Sequence, residues 1–140
     1  MGGIKYLLDT NVLSEPAKLK PNERVMQHLA SKNGQYATTS VVWHELHYGC
    51  HCLPRSKRKT ELLSYLDMLN TQGLIVLPYD QVAAVWFAKQ RARLKSQGNM
   101  PTYADGEIAA IAAVNDLTLV TRNIKDFQCY AKVSLANWFD

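Results

Sequence analysis

A chain of 140 residues with 47% apolar and 20% charged side chains is sized for one globular domain, expected to span residues 1–140, and its composition excludes disorder. No apolar run approaches the roughly 20 residues of a membrane span, and three cysteines, Cys50, Cys52 and Cys129, exclude a paired disulfide framework. The net charge of +4, with basic residues bunched at Arg55–Lys59 and Lys89–Lys95, favours an anionic partner over a cationic one, although such runs are ordinarily solvated helix faces.

The first predicted element is Ile4–Leu8, an apolar run fit for a strand covered on both faces, and it ends abruptly at Asp9-Thr10-Asn11. Asp9 is therefore expected at a strand's carboxyl end, the edge at which open parallel sheets bind ligands. Ser14–Pro21 has the Pro and Lys content of a loop, Asn22 caps a helix to about Asn33, and Asn33-Gly34 stops it. Gln35–Thr39 is the second strand. Ser40 then caps the helix Val41–Cys52, closed by Pro54, and Arg55–Asn70 carries Leu62, Leu66 and Leu69 at helical spacing. Gly73 precedes the strand Leu74–Leu77, and Asp80 caps a helix reaching Gln97-Gly98. Thr102-x-x-Asp105 has the form of a capping box before Ile108–Val114, which is apolar all round and so central or at an interface. Leu117–Val120 is the fourth strand, Asn123-x-x-Asp126 opens a short helical turn, and Val133–Leu135 is a last edge strand. Strands alternating with helices predict βαβ units: an α/β/α sandwich around a central, mostly parallel sheet of about five strands.

Four carboxylates stand out against this frame. Asp9 ends the first strand. On a 100° wheel Glu45 falls on the face of Val41, Val42, Leu46, Gly49, Cys52 and Leu53, which points it inward. Asp105 shares the side of Ile108, Ala109 and Ala112, and Asp126 lies just beyond the fourth strand. Taken singly, each has an ordinary explanation: a salt bridge for Glu45, helix capping for Asp105 and Asp126. Together they converge on one sheet edge, where mutual repulsion calls for a cation. Hard oxygen ligands without thiolate favour Mg²⁺ or Mn²⁺, ions suited to phosphate chemistry.

Leu8–Leu13, Val42–Gly49, Asp105–Ala110 and Thr121–Phe127 together resemble, in order and spacing, the PIN-domain ribonuclease toxins of the VapC type. Ser14-Glu15-Pro16 with Pro21–Val25 is similar to the FitB branch of that family. The resemblance implies a PIN fold and an Mg²⁺-dependent endoribonuclease, with Mn²⁺ able to substitute, that acts on RNA such as tRNA or rRNA. It also implies restraint by a cognate VapB-type antitoxin, a homodimer, and a bacterial or archaeal cytoplasmic setting. Asp9, Glu45, Asp105 and Asp126 would be the catalytic and metal-binding quartet, with Thr10, Asn11 and Asn123 in support. Arg122 and the basic helices would hold RNA phosphates. Gly106, a poor helix former, is expected to loosen the first turn after Asp105.

Other chemistries fit less of the pattern. His44-Glu45-Leu46-His47 is one residue short of the zinc-protease spacing. His44, His47 and His51 do share a face with Cys50 and Cys52 nearby, a face expected to point to solvent or a partner. A haloacid-dehalogenase-type phosphatase needs a second Asp where Asn11 stands. A catalytically dead nucleic-acid-binding module, acting through an antitoxin–DNA complex, gains nothing from four acids. The N-terminus lacks the layout of a secretion signal, and Tyr6 replaces the Ser or Thr of a myristoylation signal, in keeping with a cytoplasmic protein.

Overall fold

Leu7 and Leu8 have no exposed surface, because the strand that carries them, β1 (Tyr6–Leu8), runs through the middle of the sheet. The computed structural model describes residues 3–140; Met1 and Gly2, where the expected domain and the N-terminal signal readings begin, lie outside them. β2 (Tyr36–Thr39), β3 (Val76–Leu77), β4 (Thr118–Val120) and β5 (Leu135–Ala136) complete a five-stranded sheet in the order β3-β2-β1-β4-β5. Every pairing is parallel. Each strand overlaps its expected span, with β1, β3 and β5 starting two residues later than expected, and the two-residue strands β3 and β5 are the sheet's edges.

The chain leaves β1 toward β2 and β3 on one side and later crosses to β4 on the other, so the connections part at the carboxyl ends of β1 and β4. That parting makes the crevice in which ligands of open α/β sheets sit. Register does the rest: Leu8 pairs with Val120, which sets Asp9 beside Thr121 as the two strands end. The Asp9 amide donates to the Val120 carbonyl at 3.0 Å, one residue past the last pair.

Helices cover both faces: α1 (Thr10–Leu13), α2 (Glu23–Ser31), α3 (Ser40–Cys52), α4 (Lys57–Thr71), α5 (Gln81–Ser96) and α6 (Tyr103–Val114). Most of the expected stops and caps are present. Asn22 accepts from the Val25 amide, Asp80 from Ala83 and Thr102 from Asp105, while α2 ends at Ser31, capped by Lys32, and Gly34 follows in the turn to β2 at a φ of +83°. Three local expectations are corrected. The cap of α3 is Thr39, whose hydroxyl accepts from Val42 N–H, so Ser40 is the first helical residue. Residues 14–21 are not plain loop, since α1 precedes them and Glu15–Ala17 forms a 3-10 turn with Pro16 in its opening positions.

The third correction concerns Gly106. It does not loosen α6; it lets α5 approach. A Cβ there would fall within 3.0 Å of three atoms of the Phe87 ring, which is buried against the bare backbone. Ile108–Ala112 are five consecutive buried residues, so α6 is the central helix expected from an all-round apolar segment. Among the described residues no helix is long and apolar enough to cross a membrane.

Candidate active site

Asp9 is 8% exposed and adopts extended backbone just before α1, whose first amide it caps: Oδ1 accepts from Thr10 N–H at 2.8 Å. Oδ2 accepts from the Thr121 hydroxyl, also at 2.8 Å. Both oxygens are thus held by neighbouring groups, one on the chain just after Asp9 and one on the paired strand. Burial lifts the Asp9 carboxyl above its ordinary value. The Thr121 and Thr10 hydrogen bonds pull the other way without cancelling it, and the charge of Asp126 adds to the rise.

Thr121 was not singled out in the sequence, and it is the residue that ties the two strand ends together. Its hydroxyl oxygen also accepts from Asn123 N–H at 3.1 Å, while Asn11 Oδ1 accepts from Arg122 N–H at 3.1 Å. Residues 121–123 are therefore laced to residues 9–11. Asn11 takes part in this lacing through its side chain and Asn123 through its backbone. The available signal was the position of Thr121, one residue past an apolar strand that pairs with the strand ending in Asp9.

Glu45 reaches the same place from α3, though not as the wheel implies. Glu45, Gly49 and Cys52 are exposed; the buried positions are Val42 and Cys50, widened into a stripe by half-buried Trp43, Leu46 and His47. The cause is a second contact surface. α3 packs on the sheet and on α4, whose Leu63 and Leu66 line a cavity with Trp43 and His47, so burial shifts away from Glu45. The Glu45 carboxylate opens into the crevice instead. Partial burial raises its pKa, the charges of Asp9 and Asp105 raise it further, and His44 opposes them.

Asp105 sits in the first turn of α6, its own amide held by Thr102 Oγ1 at 3.2 Å. Burial raises its carboxyl, the Thr102 hydroxyl works against that, and Asp9 and Asp126 add to the rise. Asp126 is exposed at the end of the 3-10 turn Ile124–Asp126, its amide donating to Asn123 O at 3.1 Å. Its charge is felt at both Asp9 and Asp105. On top of burial, the charges of Asp9, Asp105 and Asp126 thus act together to raise the carboxyls of Asp9, Glu45 and Asp105. Among the described residues the ion pairs are Lys18–Glu15 and Arg58–Glu61, so Glu45 has no structural salt bridge.

The donor set suits a hard divalent cation. It offers carboxylate oxygens only, and beside Asp9 the Thr10 hydroxyl is buried with no hydrogen-bond partner. Among the described residues no three His, Cys, Asp or Glu side chains are close enough to enclose an ion by themselves. Mg²⁺ is ordinarily held by one or two carboxylates, with water and substrate phosphate filling the remaining positions. The histidines are engaged otherwise. His47 stands edge-on to Trp43 at 4.8 Å and stacks on His51 at 6.4 Å, and His44 stacks on Tyr48. His47 is half-buried, which corrects the expectation of a face turned wholly outward.

Glu15 is a second residue whose weight the sequence did not reveal. It is 3% exposed, accepts from Asn22 N–H at 2.8 Å and pairs with Lys18 at 2.9 Å, fixing the start of α2. Burial works to raise its pKa, but the Lys18 and Asn22 hydrogen bonds and the charges of Lys18 and Arg122 outweigh it, and the carboxyl lies below its ordinary range. Arg122 itself is exposed, its guanidinium 4.7 Å above the Phe139 ring.

Comparison with known proteins agrees with this fold. A family model described as the PIN domain matches residues 6–133. Toxin FitB of Neisseria gonorrhoeae is 37% identical over 138 residues, covering 96% of this chain and 99% of its own length. Ribonuclease VapC2 of Rickettsia felis is 31% identical, covering 95% and 97%. The solved structure of VapBC2 from Rickettsia felis, bound to a DNA fragment from their promoter, superposes with a TM-score of 0.81 at 29% identity, covering 96% of this chain and 99% of that one.

Proposed function

The chain belongs to the PIN-domain family, and on that premise we propose that it is the toxin of a toxin–antitoxin pair, a metal-dependent endoribonuclease restrained by a cognate VapB-type antitoxin. The observation that carries this reading is the gathering of Asp9, Glu45, Asp105 and Asp126 near the carboxyl ends of β1 and β4. There burial and the charges of Asp9, Asp105 and Asp126 lift the carboxyls of Asp9, Glu45 and Asp105 and, among the described residues, none of the four makes an ion pair. A fold keeps such a cluster at a cost in stability only where something else uses it.

Asp9 and Asp105 would be the main ligands of Mg²⁺, with Mn²⁺ as a substitute, and Glu45 and Asp126 would complete the shell directly or through water. Bound there, the ion supplies a lowered pKa for attacking water and neutralises charge on the phosphate and the leaving oxygen. The protein's own groups set the geometry. Thr10 and Thr121 hold both oxygens of Asp9 in one orientation. Either of the more exposed Glu45 and Asp126 would help orient the attacking water for in-line displacement, and Arg122 would take a backbone phosphate without reading a base. The substrate is RNA, tRNA included, and the working unit is a homodimer. The antitoxin, expected from the neighbouring gene, would cover the acidic pocket with a basic side chain.

Induced expression without the neighbouring gene tests the reading in cells. Growth should stop, Asp9→Asn should relieve the arrest, and the partner should co-purify when both genes are present. An Asn variant as toxic as the parent would refute the nuclease assignment, and a lone, active, well-tolerated protein would refute the toxin assignment.

A further inference from the structure

The C-terminal segment leaves β5 alongside the exit of β4, because Val120 pairs with Ala136 and the Thr121 amide donates to the Ala136 carbonyl at 3.0 Å. Two residues on, Trp138 locks the segment down. It is 3% exposed, stacks on His28 at 5.0 Å and meets Tyr6 edge-on at 5.3 Å. Phe139 is therefore held beside the loop that carries Arg122, with its own amide tied to Asn137 Oδ1 at 2.9 Å. Arg122 is pinned from the other side, where its backbone N–H donates to Asn11. Its guanidinium lies over the Phe139 ring at 4.7 Å, and among the described residues it makes no ion pair and none of its guanidinium N–H groups finds an acceptor. A guanidinium stacked by its face keeps its N–H edges free, and those edges match a phosphate.

The direction matters as much as the stack. The Arg122 charge acts on Glu15 but is not among the influences on Asp9, Glu45 or Asp105. One residue past Thr121, whose hydroxyl holds Asp9, and with its own amide on Asn11, Arg122 stands at the rim of the pocket, suited to a phosphate next to the one being cut.

We infer that Phe139 is a positioning residue, a shelf that presents the Arg122 guanidinium to a flanking phosphate of single-stranded RNA. The inference rests on the ribonuclease reading and adds a role for the C-terminal segment. Binding of a labelled single-stranded RNA oligonucleotide to the full chain in EDTA, titrated with salt, tests it without turnover. Phe139→Leu should weaken binding about threefold, the scale of an exposed cation–π contact, and Phe139→Trp should bind like the parent. Arg122→Lys keeps the charge but loses the planar stack and should also weaken binding. Arg122→Ala should lower the salt slope by about 0.7, one phosphate contact on a single strand, and Phe139→Leu should then add nothing. On RNA that the parent cuts, the loss should fall in KM with kcat unchanged.

Two results overturn the inference while leaving the nuclease reading intact: no effect of Phe139→Leu when Arg122 is present, or an equal effect when Arg122 is absent, which makes the ring itself the RNA contact. A Phe139→Leu protein that fails to fold leaves Arg122→Lys and Phe139→Trp to decide, and parental binding by Arg122→Lys counts against the shelf. A parent chain that neither binds nor cuts RNA overturns the nuclease reading and this inference together.

Discussion

Replacing Gly106 by Ala separates helix propensity from packing. In an exposed helix this change stabilises by about 1 kcal/mol, because Ala loses less backbone entropy than Gly. Here the added methyl would meet Phe87 Cζ, Cε1 and Cδ1 inside 3.0 Å, so a ring that is only 4% exposed would have to shift from its packed position. Overpacking of a tight core costs about 1–3 kcal/mol. The net is a loss of up to about 2 kcal/mol, which for a domain of this size lowers the melting temperature by several degrees. Calorimetry of Gly106→Ala, Phe87→Leu and the double variant reads this directly. The double variant should be more stable than the two single losses sum to, since the smaller side chain makes room for the methyl. Cleavage should fall in Gly106→Ala beyond what the lower melting point explains, because the methyl pushes on the turn that holds Asp105. A Gly106→Ala protein that melts higher than the parent would refute the packing account.

Asp105→Asn should abolish cleavage yet leave the metal-free protein as stable or more so, by about 1 kcal/mol. The Asp105 carboxyl is raised in the fold, so its cost is absent below the ordinary value of 3.8 and grows as pH climbs through the raised one. The gain in the variant should follow that pH window, and millimolar Mg²⁺ should raise the parent's melting temperature more than the variant's; a lower-melting variant with an unchanged Mg²⁺ response would reduce Asp105 to a helix cap. Thr121→Val removes the donor to Asp9 Oδ2 and should cost about 1–3 kcal/mol. Since that bond holds the Asp9 pKa down, the acid limb of the activity profile should also move to higher pH, and an unmoved limb would exclude Asp9 as the titrating group. His44→Ala with His47→Ala should melt lower, because His47 packs against Trp43, yet keep most Mg²⁺-dependent cleavage; loss of activity restored by zinc alone would overturn the choice of metal.

Much of this was legible in the sequence because the decisive elements announce themselves locally. An apolar run that stops at Asp9 can only be a strand end, and Thr102-x-x-Asp105 marks the start of α6 by the same cap that the structure shows. Three things were not legible, each because it depends on a distant neighbour. Thr121 matters through its register with Asp9, 112 residues away along the chain. Glu45 lies outside the buried stripe because α3 shares its burial between the sheet and α4, and a single-helix wheel has no knowledge of α4. Gly106 reads as a weak helix former until Phe87 is seen lying on it. Capping choices one residue apart, such as Thr39 against Ser40, stay ambiguous because both side chains can accept the same kind of bond.

The central claim, that four carboxylates gathered at the ends of β1 and β4 serve metal-dependent hydrolysis of RNA, is tested most directly by the chemistry of the cut ends. Purified protein incubated with RNA and Mg²⁺ should leave 5′-phosphate and 3′-hydroxyl termini, because water rather than the ribose 2′-hydroxyl attacks the phosphorus. EDTA and Asp9→Asn should each stop the reaction. Termini carrying 2′,3′-cyclic phosphate, or cleavage that persists in EDTA, would contradict the account.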